Sequence, residues 1–267
     1  MNDNTSLTIC TTPSFSAYSK EWHRDLKFGK HNYILCDVGN GNRALPMPSM
    51  MQFMQDNIIN YNIKNINTTL NFSTEPSDRH RWNLGGGRSI IWFYAHFRML
   101  YFYKLFPNYE YYWFFDDDIA YPNSQLELFL ELHNTLTHDC MITYLFANLN
   151  AKNPSNVLTT DSNMGSYHAD NHHWLIHYPG VGDKQPPYIT ETYGSFFPIV
   201  RFSNRAIKKL WEVHEEGYYG YSEGFVPTVL NHFEMSLYSI YNKESKVQLN
   251  NDILIHHKHD VMLWKNV

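Results

Sequence analysis

Apolar positions along the chain fall into short blocks that stop at polar, turn-forming residues. Leu7-Thr8-Ile9-Cys10 runs into Thr-Thr-Pro, and Tyr33-Ile34-Leu35-Cys36 runs into Asp37-Val38-Gly39-Asn40. Each reads as a short buried strand ending in a loop. Helices are expected over 17–28 and 48–60, the second with Met51, Phe53, Met54, Ile58 and Ile59 on an apolar face. The alternation of strand and helix predicts an α/β domain with a mostly parallel central sheet flanked by helices. Ligands of such a sheet sit beyond the carboxyl ends of its strands. Residues 89–106 are apolar on most faces and too long for a strand, which predicts a buried helix. Further on, Ser203 or Asn204 is expected to cap a helix over 205–215, with Gly217 at its C-terminal end.

The most informative block is Tyr111-Tyr112-Trp113-Phe114-Phe115, which stops abruptly at Asp116-Asp117-Asp118. An apolar run of this length is a buried strand, and it delivers three carboxylates to one edge of a sheet. Three like charges a few Å apart cannot all stay ionised away from water unless a cation joins them. Oxygen-only ligation suits Mg2+ or Mn2+. The plainer alternative is an acidic triplet that merely opens a solvated loop.

Composition narrows the classes. Hydrophobic residues at 43% against 18% charged exclude a disordered chain, and 267 residues without a Pro/Gly/Ser linker read as one continuous domain. With 21 basic and 26 acidic residues the net charge of −5 excludes bulk attraction to nucleic acid or anionic membrane. Cys10, Cys36 and Cys140 are too few and too widely spaced for a disulfide framework. The polar start Met1-Asn2-Asp3-Asn4 lacks the pattern of a signal peptide, and no apolar run reaches the length of a membrane span. A cytoplasmic protein is therefore expected, and the sequons at Asn4, Asn67 and Asn71 carry no expectation of glycosylation.

Asp116-Asp117-Asp118, set between Trp113-Phe114-Phe115 and a Pro-Asn turn, resembles the D-x-D motif of the GT-A glycosyltransferases. The resemblance implies a GT-A-like, Rossmann-like single domain, with 1–118 as the nucleotide-sugar half and 119–267 as the acceptor and catalytic half. It implies a hexosyl or deoxyhexosyl transfer from a UDP- or GDP-linked donor to a hydroxyl of a glycan. Asp116 and Asp118 would hold Mn2+ or Mg2+, and Asp116 and Asp117 would also face the nucleotide. By order along the chain, Thr11 and Thr12 match the strand end that contacts the base, and Asp37 matches a polar group supplied after the second strand. Asn83-Leu84-Gly85-Gly86-Gly87-Arg88 lacks P-loop spacing, but Arg88 matches a basic residue that precedes the D-x-D strand. Glu191, Tyr193 and Gly194 fall in the acceptor region. His256, with His257 as its neighbour, follows an apolar run as the family's C-terminal metal ligand does. Glu223 resembles the catalytic base of inverting members, at the N-terminus of a helix expected to begin near Phe225-Val226-Pro227, where a first-turn proline costs nothing.

Two other classes compete. Gly220-Tyr221-Ser222-Glu223-Gly224 fits the G-x-S-x-G pattern of a serine hydrolase, with Asp252 and then His256 or His257 in the matching order. That elbow needs a buried strand directly before Ser222, where the sequence reads as a helix end. A non-catalytic carbohydrate-binding protein is the third class, because aromatics make up 16% of the chain. The group His168, His172, His173 and His177 lacks zinc-site spacing and reads as a loop.

Overall fold

The computed structural model describes residues 6–12, 32–37, 58–61, 63–71, 95–116, 125–146, 186–189, 193–220 and 222–240. In chain order the elements are β1 (Ser6–Thr12), β2 (Asn32–Asp37), β3 (Ile58–Tyr61), α1 (Ile63–Leu70), α2 (Ala95–Leu105) and β4 (Tyr111–Asp116). They continue with α3 (Gln125–Asn134), β5 (Cys140–Phe146), β6 (Gly194–Ser203), α4 (Asn204–Glu215), α5 (Ser222–His232) and β7 (Leu237–Ser239). The fold is mixed α/β. The chain divides into two compact units, the first built from β1 to β4 with α3, the second from the remaining elements.

In the first unit the strands lie in the order β3-β2-β1-β4, every neighbouring pair parallel. Tyr112 to Phe115 of β4 are all buried, as its unbroken apolar run requires. Trp113 packs edge-on against Phe129 and His133 of α3, and its indole N–H donates to Asn134 Oδ1 at 2.9 Å. The helix expected over 48–60 is overturned at its C-terminal end, because Ile58 to Tyr61 form β3. Ile58 and Ile59 are stiff at χ1, and here they pair in register with Ile34 and Leu35. The helix expected over 17–28 lies outside the described residues.

In the second unit β5 runs antiparallel to β6 and parallel to β7. Strand pairing is thus mixed, where a mostly parallel sheet was expected. A buried apolar run suits either direction, so β5 and β6 carried no signal of their orientation. Their register shifts between Ile142 and Tyr144, opposite Pro198, which has no N–H for a ladder. Thr143 repairs the gap. Its hydroxyl accepts from the Ile199 N–H at 3.1 Å and donates to the Ile199 carbonyl at 2.9 Å.

The long aromatic segment forms a helix as expected over Ala95–Leu105, with eight of its residues buried. Ser203 is the N-cap of α4 and accepts from the Ala206 N–H at 3.1 Å. At the other end Gly217, at φ +88°, gives its N–H to the His214 carbonyl, while the Tyr218 N–H reaches the Val213 carbonyl. This pair of bonds is the Schellman closure of a helix.

Candidate functional site

Parallel pairing brings the carboxyl ends of β1 to β4 to one edge of the first unit. Thr11 is paired with Asp116 on one side and with Leu35 on the other, and Thr12 with Cys36. One residue further, Asp37 is paired with Tyr61, the last residue of β3. Two strand spacings separate the ends of β2 and β4, about 10 Å. Thr11, Asp37 and Asp116, far apart in sequence, therefore share the edge at which open parallel sheets bind ligands. Asp116 is half-buried and follows four buried aromatics, so its backbone is held by the core rather than by a loop.

The donor set at this edge is chemically suited to a hard divalent cation, since a carboxylate ends the strand and two more follow it in sequence. Asp117, Asp118 and His256 lie outside the described residues, as do Arg88 and Glu191. Among the described residues no three His, Cys, Asp or Glu side chains gather closely enough to hold a metal ion.

The second unit brings three other predicted residues together. Gly194 opens β6 directly after Tyr193, and Glu223 stands half-buried in the first turn of α5. The Tyr193 N–H donates to Thr228 Oγ1 at 2.8 Å, and the Thr228 hydroxyl donates to the Tyr193 carbonyl at 3.2 Å. The Ser195 hydroxyl donates to the Glu223 carbonyl at 2.8 Å. The helix begins at Ser222 rather than near Phe225, which places Pro227 inside it. Pro227 is four residues after Glu223 and has no N–H to give that carbonyl. Ser195 supplies the missing donor, which resolves the cost that a first-turn proline would have avoided.

Ser222 is 1% exposed and lies on the helix, with a turn and a single bridging residue, Tyr219, before it. Among the described residues before it, 216–220, the strand that a nucleophile elbow requires is not formed. Its hydroxyl oxygen accepts from the His96 backbone N–H at 3.1 Å and lies 2.8 Å from His96 Nδ1. Burial, reinforced by His214, holds the His96 imidazole well below its ordinary range, so the ring is neutral. His257 and Asp252, the other hydrolase candidates, lie outside the described residues, as does the group from His168 to His177.

Sequence reasoning missed His96, a histidine on a largely aromatic helix, and it missed Asp139. The Asp139 carboxylate accepts from Ser203 Oγ at 3.0 Å, from Arg205 Nε at 3.0 Å and from Arg205 Nη2. It also accepts from the Ser236 N–H at 2.9 Å and from Ser236 Oγ at 3.0 Å. Burial alone would raise this carboxyl, but the bonds from Arg205, Ser236 and Ser203 outweigh it and hold the pKa at about 2. Asp139 thereby joins the start of β5, the cap of α4 and the approach to β7. The only signal was a single acidic residue directly before an apolar run.

No family model matches the chain, and no curated protein matches it. Among solved structures it is similar to mouse xyloside xylosyltransferase 1 in its apo form, at 11% identity and a TM-score of 0.41. That match covers 88% of this chain and 85% of the other. At this level the likeness bears on neither activity nor site. No helix among the described residues is long and apolar enough to cross a membrane.

Proposed function

We propose that the chain is a metal-dependent glycosyltransferase that moves a hexosyl or deoxyhexosyl group from a UDP- or GDP-linked donor to a glycan hydroxyl, with inversion. The observation that supports it best is the pairing of Thr11 with Asp116 at the carboxyl edge of the parallel strands. There a D-x-D-like triplet leaves a buried strand, beside two further polar strand ends.

In this reading Asp116, Asp118 and His256 hold Mn2+ or Mg2+, which when bound supplies positive charge to the donor diphosphate. Thr11, Asp37 and Asp117 contact the nucleoside, and Arg88 faces the phosphates. Glu191, Tyr193 and Gly194 line the acceptor. Glu223 takes the proton of the acceptor hydroxyl as its oxygen bonds to the anomeric carbon. The bond from that carbon to the diphosphate breaks in the same displacement, and the nucleoside diphosphate leaves.

Thermal denaturation with a panel of nucleoside diphosphates, each with and without Mn2+, tests the reading. A ligand at 100 times its Kd stabilises by about 2.7 kcal/mol. One diphosphate should raise the Tm only when Mn2+ is present. If no diphosphate shifts the Tm in either condition, the proposal fails.

A further inference from the structure

Glu223 sits on a helical turn held from both sides by buried groups that belong to other elements. On one side Ser222 Oγ takes the His96 backbone N–H and lies 2.8 Å from His96 Nδ1, joining the first turn of α5 to the first turn of α2. On the other, Ser195 of β6 donates to the Glu223 carbonyl, which Pro227 cannot serve. Ser222, His96 and Ser195 are each 1% exposed. The His96 ring also stacks on Phe225, one turn into α5, with centroids 5.3 Å apart.

We propose that His96, acting through Ser222, is a positioning residue that fixes the direction in which Glu223 leaves the first turn of α5. The proposal rests on the reading of Glu223 as the base. A neutral imidazole leaves Nδ1 able to accept the Ser222 hydroxyl proton, while the oxygen of that hydroxyl holds the His96 N–H. Both groups are out of water, so neither exchanges its partner for solvent without a penalty. The first residues of a helix have no intrahelical acceptor for their N–H groups and fray readily. Holding Ser222 and the Glu223 carbonyl at once removes that freedom at the residue which would carry the proton.

The test measures kcat and donor KM per folded molecule in Ser222→Ala, His96→Phe and His96→Asn, together with Tm. Displacement of a reacting group by about 1 Å can cost roughly 10²-fold in rate. Ser222→Ala and His96→Phe should lower kcat roughly ten- to a hundredfold, with donor KM held within about twofold. In His96→Asn the side-chain amide replaces Nδ1, and kcat should recover most of the loss. Parent kcat in Ser222→Ala overturns the proposal, as does a kcat loss in His96→Phe that His96→Asn does not rescue. If the parent turns over no nucleotide sugar, the reading of Glu223 falls instead. Hydrogen exchange in the first two turns of α5 then reads the latch alone: faster exchange in Ser222→Ala supports it, and unchanged exchange overturns it.

Discussion

Thr11 and Asp116 are paired across the parallel ladder of β1 and β4, although 104 positions that include β2, β3 and two helices lie between them in sequence. The pairing puts a hydroxyl-bearing strand end beside a carboxylate-bearing one. In the proposed function this edge holds metal and diphosphate together, so removing a carboxylate should be felt as lost metal dependence. Asp118→Ala should abolish Mn2+-dependent binding of the nucleoside diphosphate, and Asp116→Ala should weaken it. Calorimetry with and without Mn2+ measures both. Equal affinity in parent and variants would remove the metal-site assignment.

Acid should destabilise the protein in two stages. His96 and His214 are buried, and burial lowers both, although a bond to the Leu70 carbonyl works against the shift at His214. The unfolded chain protonates these imidazoles near 6.5, while the folded chain keeps them neutral to lower pH. Stability therefore falls as pH drops below 6.5, because the unfolded state binds more protons. Asp139 acts lower, where its carboxyl is held at about 2 against an ordinary 3.8. Its contribution is complete above 3.8 and is lost as pH falls from there towards 2, about 1 kcal/mol once water around the exposed Arg205 is allowed for. Urea midpoints from pH 8 to pH 2 should show both stages, and Asp139→Asn should flatten the lower one. Parallel profiles in parent and variant below pH 4 would refute the role of Asp139.

Two helix ends close through the left-handed region with different residues. Gly217 adopts φ +88° after α4, and a Cβ built there meets nothing within 4 Å. Gly217→Ala should then cost backbone strain alone, about 1 kcal/mol. After α5 the same closure is formed by Glu234 at φ +54°, its N–H bonded to the Asn231 carbonyl and the Met235 N–H to the Leu230 carbonyl. Glu234→Gly should stabilise, but by less, because glycine also loosens the unfolded chain. A change of 1 kcal/mol moves Tm by about 2 to 4 °C in a chain near this size, which a thermal scan resolves. Shifts of the same sign in the two variants would contradict the backbone account.

What the sequence made legible was local. The unbroken apolar run of β4, the mostly apolar surface of α2, and the Ser203 cap each rest on residues within one turn or one strand. What it hid depends on partners. Ile58 and Ile59 fit an apolar helix face until Ile34 and Leu35 offer a strand beside them. Strand direction in β5 and β6 leaves no mark on an apolar run. Ser222 looked like part of a catalytic motif because the sequence does not show that His96, 126 residues earlier, closes over it. Asp139 is likewise defined by Ser203, Arg205 and Ser236, none of them near it in sequence.

Glu223 is the residue on which the proposed chemistry turns. It is half-buried on the first turn of α5, where a carboxylate is also favoured by the helix dipole, so placement alone does not separate a base from a stabilising charge. Substitution does. Glu223→Gln keeps size and hydrogen-bonding capacity but cannot accept the acceptor proton. If Glu223 is the base, turnover should fall by roughly 10² to 10⁴, and nucleotide affinity should stay within about threefold, since the loss is confined to the transition state. A stabilising charge predicts the reverse pattern, a lower Tm with turnover per folded molecule unchanged. The stereochemistry gives a second reading of the same step. Direct attack by the deprotonated hydroxyl inverts the anomeric centre, so the anomeric proton coupling of the product should differ from that of the donor. Near-parent turnover in Glu223→Gln, or a product that retains the donor configuration, would end the assignment of Glu223 as the base.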